Sequence, residues 1–198
     1  MPRFVSHCSK IALIGLLLLA GCQSDPREDP KVTYIAPASQ SSTLGYDNVS
    51  YWDGDNMSGP PSIRISLSEQ RAYFYKGDKL AGISWISTGR EGLNTVTGNF
   101  HIIQKDKDHK SSVYGDYVDK EGKVVKKDVE KGKDPVPPGA HFEGSPMPYF
   151  MRIVGGTGMH QGFLPGVPAS HGCIRMPGFM AQDFFNSVSV GTPVTIAP

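Results

Sequence analysis

Ser62-Ile63-Arg64-Ile65-Ser66-Leu67, followed after a short break by Ala72-Tyr73-Phe74-Tyr75, is the stretch that decides the fold. Ile63, Ile65 and Leu67 alternate with polar residues, so they share one side of an extended chain, as in a half-buried strand. Ser68-Glu69-Gln70 reads as the turn between the two runs, and Lys76-Gly77-Asp78 as a second turn. A third strand follows through Ile83, Trp85 and Ile86, and Phe100-His101-Ile102-Ile103 makes a fourth. Strands this close leave no room for intervening helices, so a mainly β, sandwich- or barrel-like sheet is expected rather than a parallel α/β sheet.

Strand character returns at Phe150-Met151-Arg152-Ile153-Val154 and again at Val194-Thr195-Ile196. One helix is expected near residues 177–188, because Met180, Phe184 and Val188 recur at four-residue spacing behind Pro177. Gly191 closes it. Residues 104–138 are crowded with Lys, Asp and Glu, and read either as a solvated excursion or as a lid over a polar substrate.

Before the strands the composition changes. Ile11 to Ala20 is an apolar run behind Arg3 and Lys10, too short to span a bilayer and suited to the h-region of a secretory signal. It ends Leu19-Ala20-Gly21-Cys22, which resembles the lipobox of bacterial lipoproteins. That resemblance implies a signal peptide over residues 1–21, an acylated Cys22 and, with Gln23 following, an outer-membrane lipoprotein facing the periplasm. Residues 22–61, rich in Ser, Asp, Pro and Gly, read as a flexible tether, leaving 62–198 as one domain. A net charge of +1 argues against a nucleic-acid partner, which needs a basic surface.

Of the three cysteines, Cys8 would leave with the signal and Cys22 would carry lipid, so Cys173 stands without a disulfide partner. It lies in Gly158-Met159-His160-Gln161-Gly162, Phe163-Leu164-Pro165-Gly166-Val167-Pro168-Ala169 and Ser170-His171-Gly172-Cys173-Ile174-Arg175-Met176-Pro177. A thiol is only slightly ionised at neutral pH, and a neighbouring imidazole supplies the base that makes it a nucleophile. Glycine beside it lets backbone N–H groups approach a developing oxyanion. Arg175, two residues on, falls on the same side of an extended chain and is placed to clamp a carboxylate. A zinc site of His160, His171 and Cys173 is the competing reading, but it lacks a fourth ligand at normal spacing. No metal and no cofactor are therefore expected.

Ser170-His171-Gly172-Cys173-Ile174-Arg175-Met176, with His160 upstream, resembles the signature of the L,D-transpeptidase catalytic domain. Ser87-Thr88-Gly89 and Thr95-Val96-Thr97-Gly98-Asn99-Phe100 are similar to two further elements of that family, with Val96 where proline is usual. The spacer between His160 and Ser170 is shorter than in many members. The resemblance covers roughly residues 62–197 and implies a mainly β domain with one or two short helices. It implies Cys173 as nucleophile, His160 as its base, and the Gln161 carbonyl holding the other ring nitrogen. It also implies His171, Gly172 and Cys173 around the oxyanion hole, Ser170 in support and Arg175 on substrate. The implied reaction is transfer of a peptidoglycan stem peptide to an amine of another stem or of an envelope protein, with carbapenems as acylating inhibitors. A hydrolase of the same fold, or a non-catalytic peptidoglycan-binding lipoprotein, is the alternative.

Overall fold

Ile63 and Ile65 do turn to one side, and both are almost wholly buried. In the computed structural model, which describes residues 50–198, they belong to β2 (Pro61–Ser66). The expected signal peptide, Cys22 and the tether up to residue 49 lie outside the described residues. β1 (Tyr51–Trp52) precedes β2, and β3 (Arg71–Lys76), β4 (Lys79–Trp85) and β5 (Gly98–His101) follow it. With β13 (Pro193–Ala197) they form a sheet of order β1-β4-β3-β2-β13-β5. Only the β2–β13 pairing in it is parallel.

A second sheet, of order β12-β11-β10-β6, is made from β6 (Gln104–Asp106), β10 (Phe150–Val154), β11 (Thr157–Gln161) and β12 (Ile174–Met176). β10 and β11 are an antiparallel hairpin, whereas β11 and β12 run parallel. Helix α1 (Gly178–Ser187) begins directly after Pro177 and buries Met180, Ala181 and Phe184. These join Phe74, Met151, Met159, Ile174 and Ile196 in one continuous core. Burial of side chains this large dominates the folding free energy, at roughly 1.5–3 kcal/mol each.

Within the stretch read as tether, Tyr51 and Trp52 pair with Ile83 and Gly82 of β4. The Trp52 ring meets Phe74 edge-on at 5.0 Å and Phe184 at 5.9 Å. Trp52 and Met57 pack this otherwise polar segment against the core, and its composition concealed that.

The charged segment supplies two strands of a third sheet, β8-β7-β9, made from β7 (Lys110–Val118), β8 (Val124–Glu130) and β9 (His141–Pro146). Tyr117, Val118 and Val129 are its buried apolar residues, while Lys110–Glu143, Lys126–Asp134 and Lys133–Glu130 pair on its exposed side. Such exposed pairs contribute little, so backbone pairing and the few apolar residues hold this sheet.

Trp52→Ala is expected to lower the urea-unfolding free energy by about 2–3 kcal/mol, near the low end for large-to-small core substitutions because the ring is only half-buried. A loss below about 0.5 kcal/mol, the size of an ordinary surface change, would contradict a domain that includes β1.

Candidate active site

The parallel register of β11 and β12 aligns Met159 with Ile174, His160 with Arg175 and Gln161 with Met176. Side chains alternate across a sheet, so Met159, Ile174 and Met176 share the inner face, where all are fully buried. His160 and Arg175 then share the opposite face. Cys173, two residues before Arg175, lies on that face too, at the level of Gly158. The alternation that fills the core therefore also collects thiol, imidazole and guanidinium on one patch.

His160 is 6% exposed, and its Nδ1 lies 2.7 Å from the backbone oxygen of Gln161. A carbonyl only accepts, so Nδ1 carries the hydrogen and Nε2 is left with a free lone pair. Burial pulls the His160 pKa down to about 4; the Gln161 hydrogen bond opposes this, and the charges of Arg175 and His109 add to it. At neutral pH the ring is thus an uncharged base. The contact with Gln161 is the one the family resemblance implies.

Cys173 is half-buried. Burial pushes its thiol pKa up, with the Gly158 N–H and the charges of Arg175 and Arg152 opposing. The thiol donates to the Gly156 carbonyl at 3.5 Å. The resting pair is therefore a neutral thiol with a neutral imidazole, and such a thiol becomes a nucleophile only where a base removes its proton.

The turn that presents the thiol is held by Ser170. Its hydroxyl donates to the Cys173 carbonyl at 2.5 Å and accepts from the Gly172 N–H at 3.1 Å. Gly172 adopts φ +111°, a conformation that side chains rarely tolerate. This refines the implied oxyanion site: the Gly172 N–H is already occupied, and the Cys173 N–H is the adjacent donor that no described acceptor engages. Arg175 lays its stem along Gly162, where any Cβ would come within 2.9 Å of it. No acidic side chain among the described residues pairs with its guanidinium.

A second segment clamps this turn. Ser87 exchanges both backbone hydrogen bonds with Arg175, and the Thr88 carbonyl accepts from the N–H groups of Ala169 and Ser170. The Thr95 hydroxyl accepts from the Gly89 N–H and donates to the Gly172 carbonyl, both at 2.9 Å. Buried Gln70 fixes Thr88 through two side-chain hydrogen bonds. The two upstream elements noted in the sequence thus meet the turn that carries Cys173.

Three further residues border the site and were not singled out. Arg90, directly after Gly89, places Nη2 3.0 Å from Nε2 of His171. A guanidinium only donates, so this nitrogen is the acceptor of a neutral ring. Burial and the cations Arg90 and Arg175 lower the His171 pKa, against Glu130 and Asp128. Tyr114 of β7 stacks on the other side of His171 at 4.1 Å. His109 lies 3.0 Å from Asp106 and stacks on buried Phe150 at 4.2 Å. Only Arg90 had a signal, its place next to the Ser87-Thr88-Gly89 element. Among the described residues no three His, Cys, Asp or Glu side chains converge as a metal site.

Comparison with known proteins follows the same lines. The YkuD family model, described as the L,D-transpeptidase catalytic domain, matches residues 60–196. An L,D-transpeptidase from Enterococcus faecium, solved as a cysteine-to-serine mutant, is similar at TM-score 0.51 and 24% identity, over 70% of this chain and 50% of that one. An L,D-transpeptidase from Mycobacterium smegmatis gives TM-score 0.51 and 16% identity, over 70% and 59%. The L,D-transpeptidase LdtMt1, solved with imipenem, gives 0.50 and 19%, over 69% and 58%. At these identities the likeness is one of fold, and the expected mainly β architecture stands. The chain spans between 50% and 59% of the length of these structures. None of the curated proteins compared with it matches.

Alkylation of Cys173 by iodoacetamide is expected to be slow at pH 7 and to keep rising beyond pH 9, because the thiol pKa is raised from 9.0. A fast rate, level from pH 5 to 8, would instead reveal a preformed thiolate–imidazolium pair. Thr95→Val, which keeps the shape and removes the hydroxyl, leaves the buried Gly89 N–H and Gly172 carbonyl unpaired. It should cost about 2 kcal/mol in urea unfolding, the usual penalty of an orphaned buried group.

Proposed function

Because the chain belongs to the L,D-transpeptidase catalytic domain family, we propose that Cys173 is the nucleophile of a peptidoglycan acyl transfer in which His160 moves the proton. The observation that carries this reading is the shared face of Cys173, His160 and Arg175 on β11–β12, with His160 held as an uncharged base. Nε2 of His160 takes the thiol proton as sulfur adds to the carbonyl of the L-centre residue at stem position three. The Cys173 N–H then faces the developing oxyanion.

Collapse of the tetrahedral species breaks the bond to the terminal D-Ala, whose amine receives the proton from His160. Arg175 is the register partner of His160, so its guanidinium stands beside the departing residue and pairs with that residue's carboxylate. The resulting thioester is resolved by an amine. An amine on a second stem gives a 3→3 cross-link, and a lysine of an envelope protein gives wall attachment. The energy of the new peptide bond comes from the old one, so no cofactor is required. Carbapenems acylate the same sulfur in this reading.

The location follows from the N-terminal pattern: an exported chain anchored through acylated Cys22 to the outer membrane, with its domain in the periplasm. Cys22→Ser is expected to release the protein into the soluble periplasmic fraction. Retention in the membrane would contradict the anchor.

A disaccharide tetrapeptide incubated with the chain from residue 23 onward should yield dimer and free D-Ala. Cys173→Ala should abolish both, and His160→Gln should slow them by roughly 10²–10⁴-fold, the usual size of a general acid–base contribution. With the wild type, the rate of acylation should fall at low pH with a midpoint near 4, where His160 gains its proton. Tripeptide without dimer would favour the hydrolase. Wild-type turnover no greater than that of Cys173→Ala would favour the non-catalytic lipoprotein.

A further inference from the structure

The two edges of β12 are occupied differently. On one side runs β11 with His160; on the other runs the segment Ser87 to Arg90, tied to Arg175 through Ser87 and to Ser170 through the Arg90 N–H at 3.1 Å. The leaving amine must depart on the His160 side, since that ring protonates it. The acyl portion of the donor therefore extends to the opposite side, toward Arg90, His171 and Tyr114.

Three observations on that side point to an anion. Arg90 is exposed, and no acidic side chain among the described residues pairs with it, although Glu91 is its neighbour in the chain. Its one side-chain hydrogen bond, to Nε2 of His171, uses a single N–H of a group that has five. His171 is pinned between this contact and the Tyr114 ring, so it holds the guanidinium in place without neutralising it. Glu130 and Asp128 act on His171 from β8, but Glu130 is committed to Lys133. Arg90 and Arg175 also repel one another across the site, and burial together with Arg90 lowers the Arg175 pKa. Two cations held in place around a nucleophile, each without a counter-ion among the described residues, are poised for a ligand with two anionic groups.

We propose that Arg90 is a specificity-determining residue that binds a carboxylate on the side chain of the acyl-donor residue, the residue whose carbonyl Cys173 attacks. This rests on the proposed acyl-transfer reading. Arg175 takes the carboxylate of the departing residue and Arg90 the carboxylate on the acyl side, so the site selects a dicarboxylic stem peptide over one whose third side chain is amidated or basic. His171 and Tyr114 position Arg90.

The test uses two tetrapeptides identical except that the third side chain ends in a free carboxylate or in its carboxamide. Their equilibrium binding is measured by calorimetry on Cys173→Ala, with and without Arg90→Gln and Arg90→Lys. The acid should bind about 10–100-fold more tightly than the amide, as expected for a charge-assisted contact to guanidinium. Arg90→Gln should bring this ratio close to one, and Arg90→Lys should retain part of it. Equal binding of acid and amide, a preference that survives Arg90→Gln, or no binding of either peptide would overturn the assignment. Turnover of both peptides by the wild type is read in parallel. Arg90-dependent preference without turnover would strike the proposed reaction and leave the carboxylate site standing; turnover without preference would do the reverse.

Discussion

The parallel pairing of β11 with β12 is the constraint on which the rest depends. One register, Met159 with Ile174 and His160 with Arg175, performs two tasks at once. It sends Met159, Ile174 and Met176 into the core and gathers His160, Cys173 and Arg175 on the opposite face. A slip of one residue would exchange the faces, burying a guanidinium and exposing methionines, so the hydrophobic core enforces the geometry of the chemistry. Because the strands are parallel, their connection cannot be a tight hairpin. Residues 162–173 bridge them and provide the turn that presents Cys173.

Around that pairing the site is built from backbone as much as from side chains. Ser170, Thr95 and Gln70 direct hydrogen bonds to the backbone of the turn and of the strap beside it. The chemistry is tuned by burial. It holds His160 uncharged and Cys173 protonated, so the resting pair is neutral, and in the proposed reaction the proton moves during attack. A neutral resting pair also avoids placing an ion pair in a half-buried cleft, where desolvation offsets much of the attraction.

Much of this was legible in the sequence because the relevant signals are local. Alternation at Ile63 to Leu67, glycine turns and the four-residue spacing of Met180, Phe184 and Val188 each arise from neighbours in the chain. Cys173, His160, Ser170 and Arg175 sit in a short dense motif, but the parallel register that unites them joins two strands, β11 and β12, that the sequence pattern did not mark. What escaped was long-range. Trp52 joins the core from within a polar stretch, and its partners Phe74 and Phe184 are far away in the chain. The sheet of β7, β8 and β9 has so many Lys, Asp and Glu on its exposed side that charge masked its strands. Tyr114 reaches His171, and His109 reaches Phe150, through packing that no local spacing records.

The most direct test of the central claim is the intact mass of the wild-type chain, acid-quenched within its first turnovers on a tetrapeptide donor, followed by peptide mapping. The expected result is a thioester on Cys173 whose mass is that of the donor less its terminal D-Ala, lost on adding a good amine acceptor and absent from Cys173→Ala. D-Ala release with an unmodified Cys173, or an adduct on another residue, would contradict it.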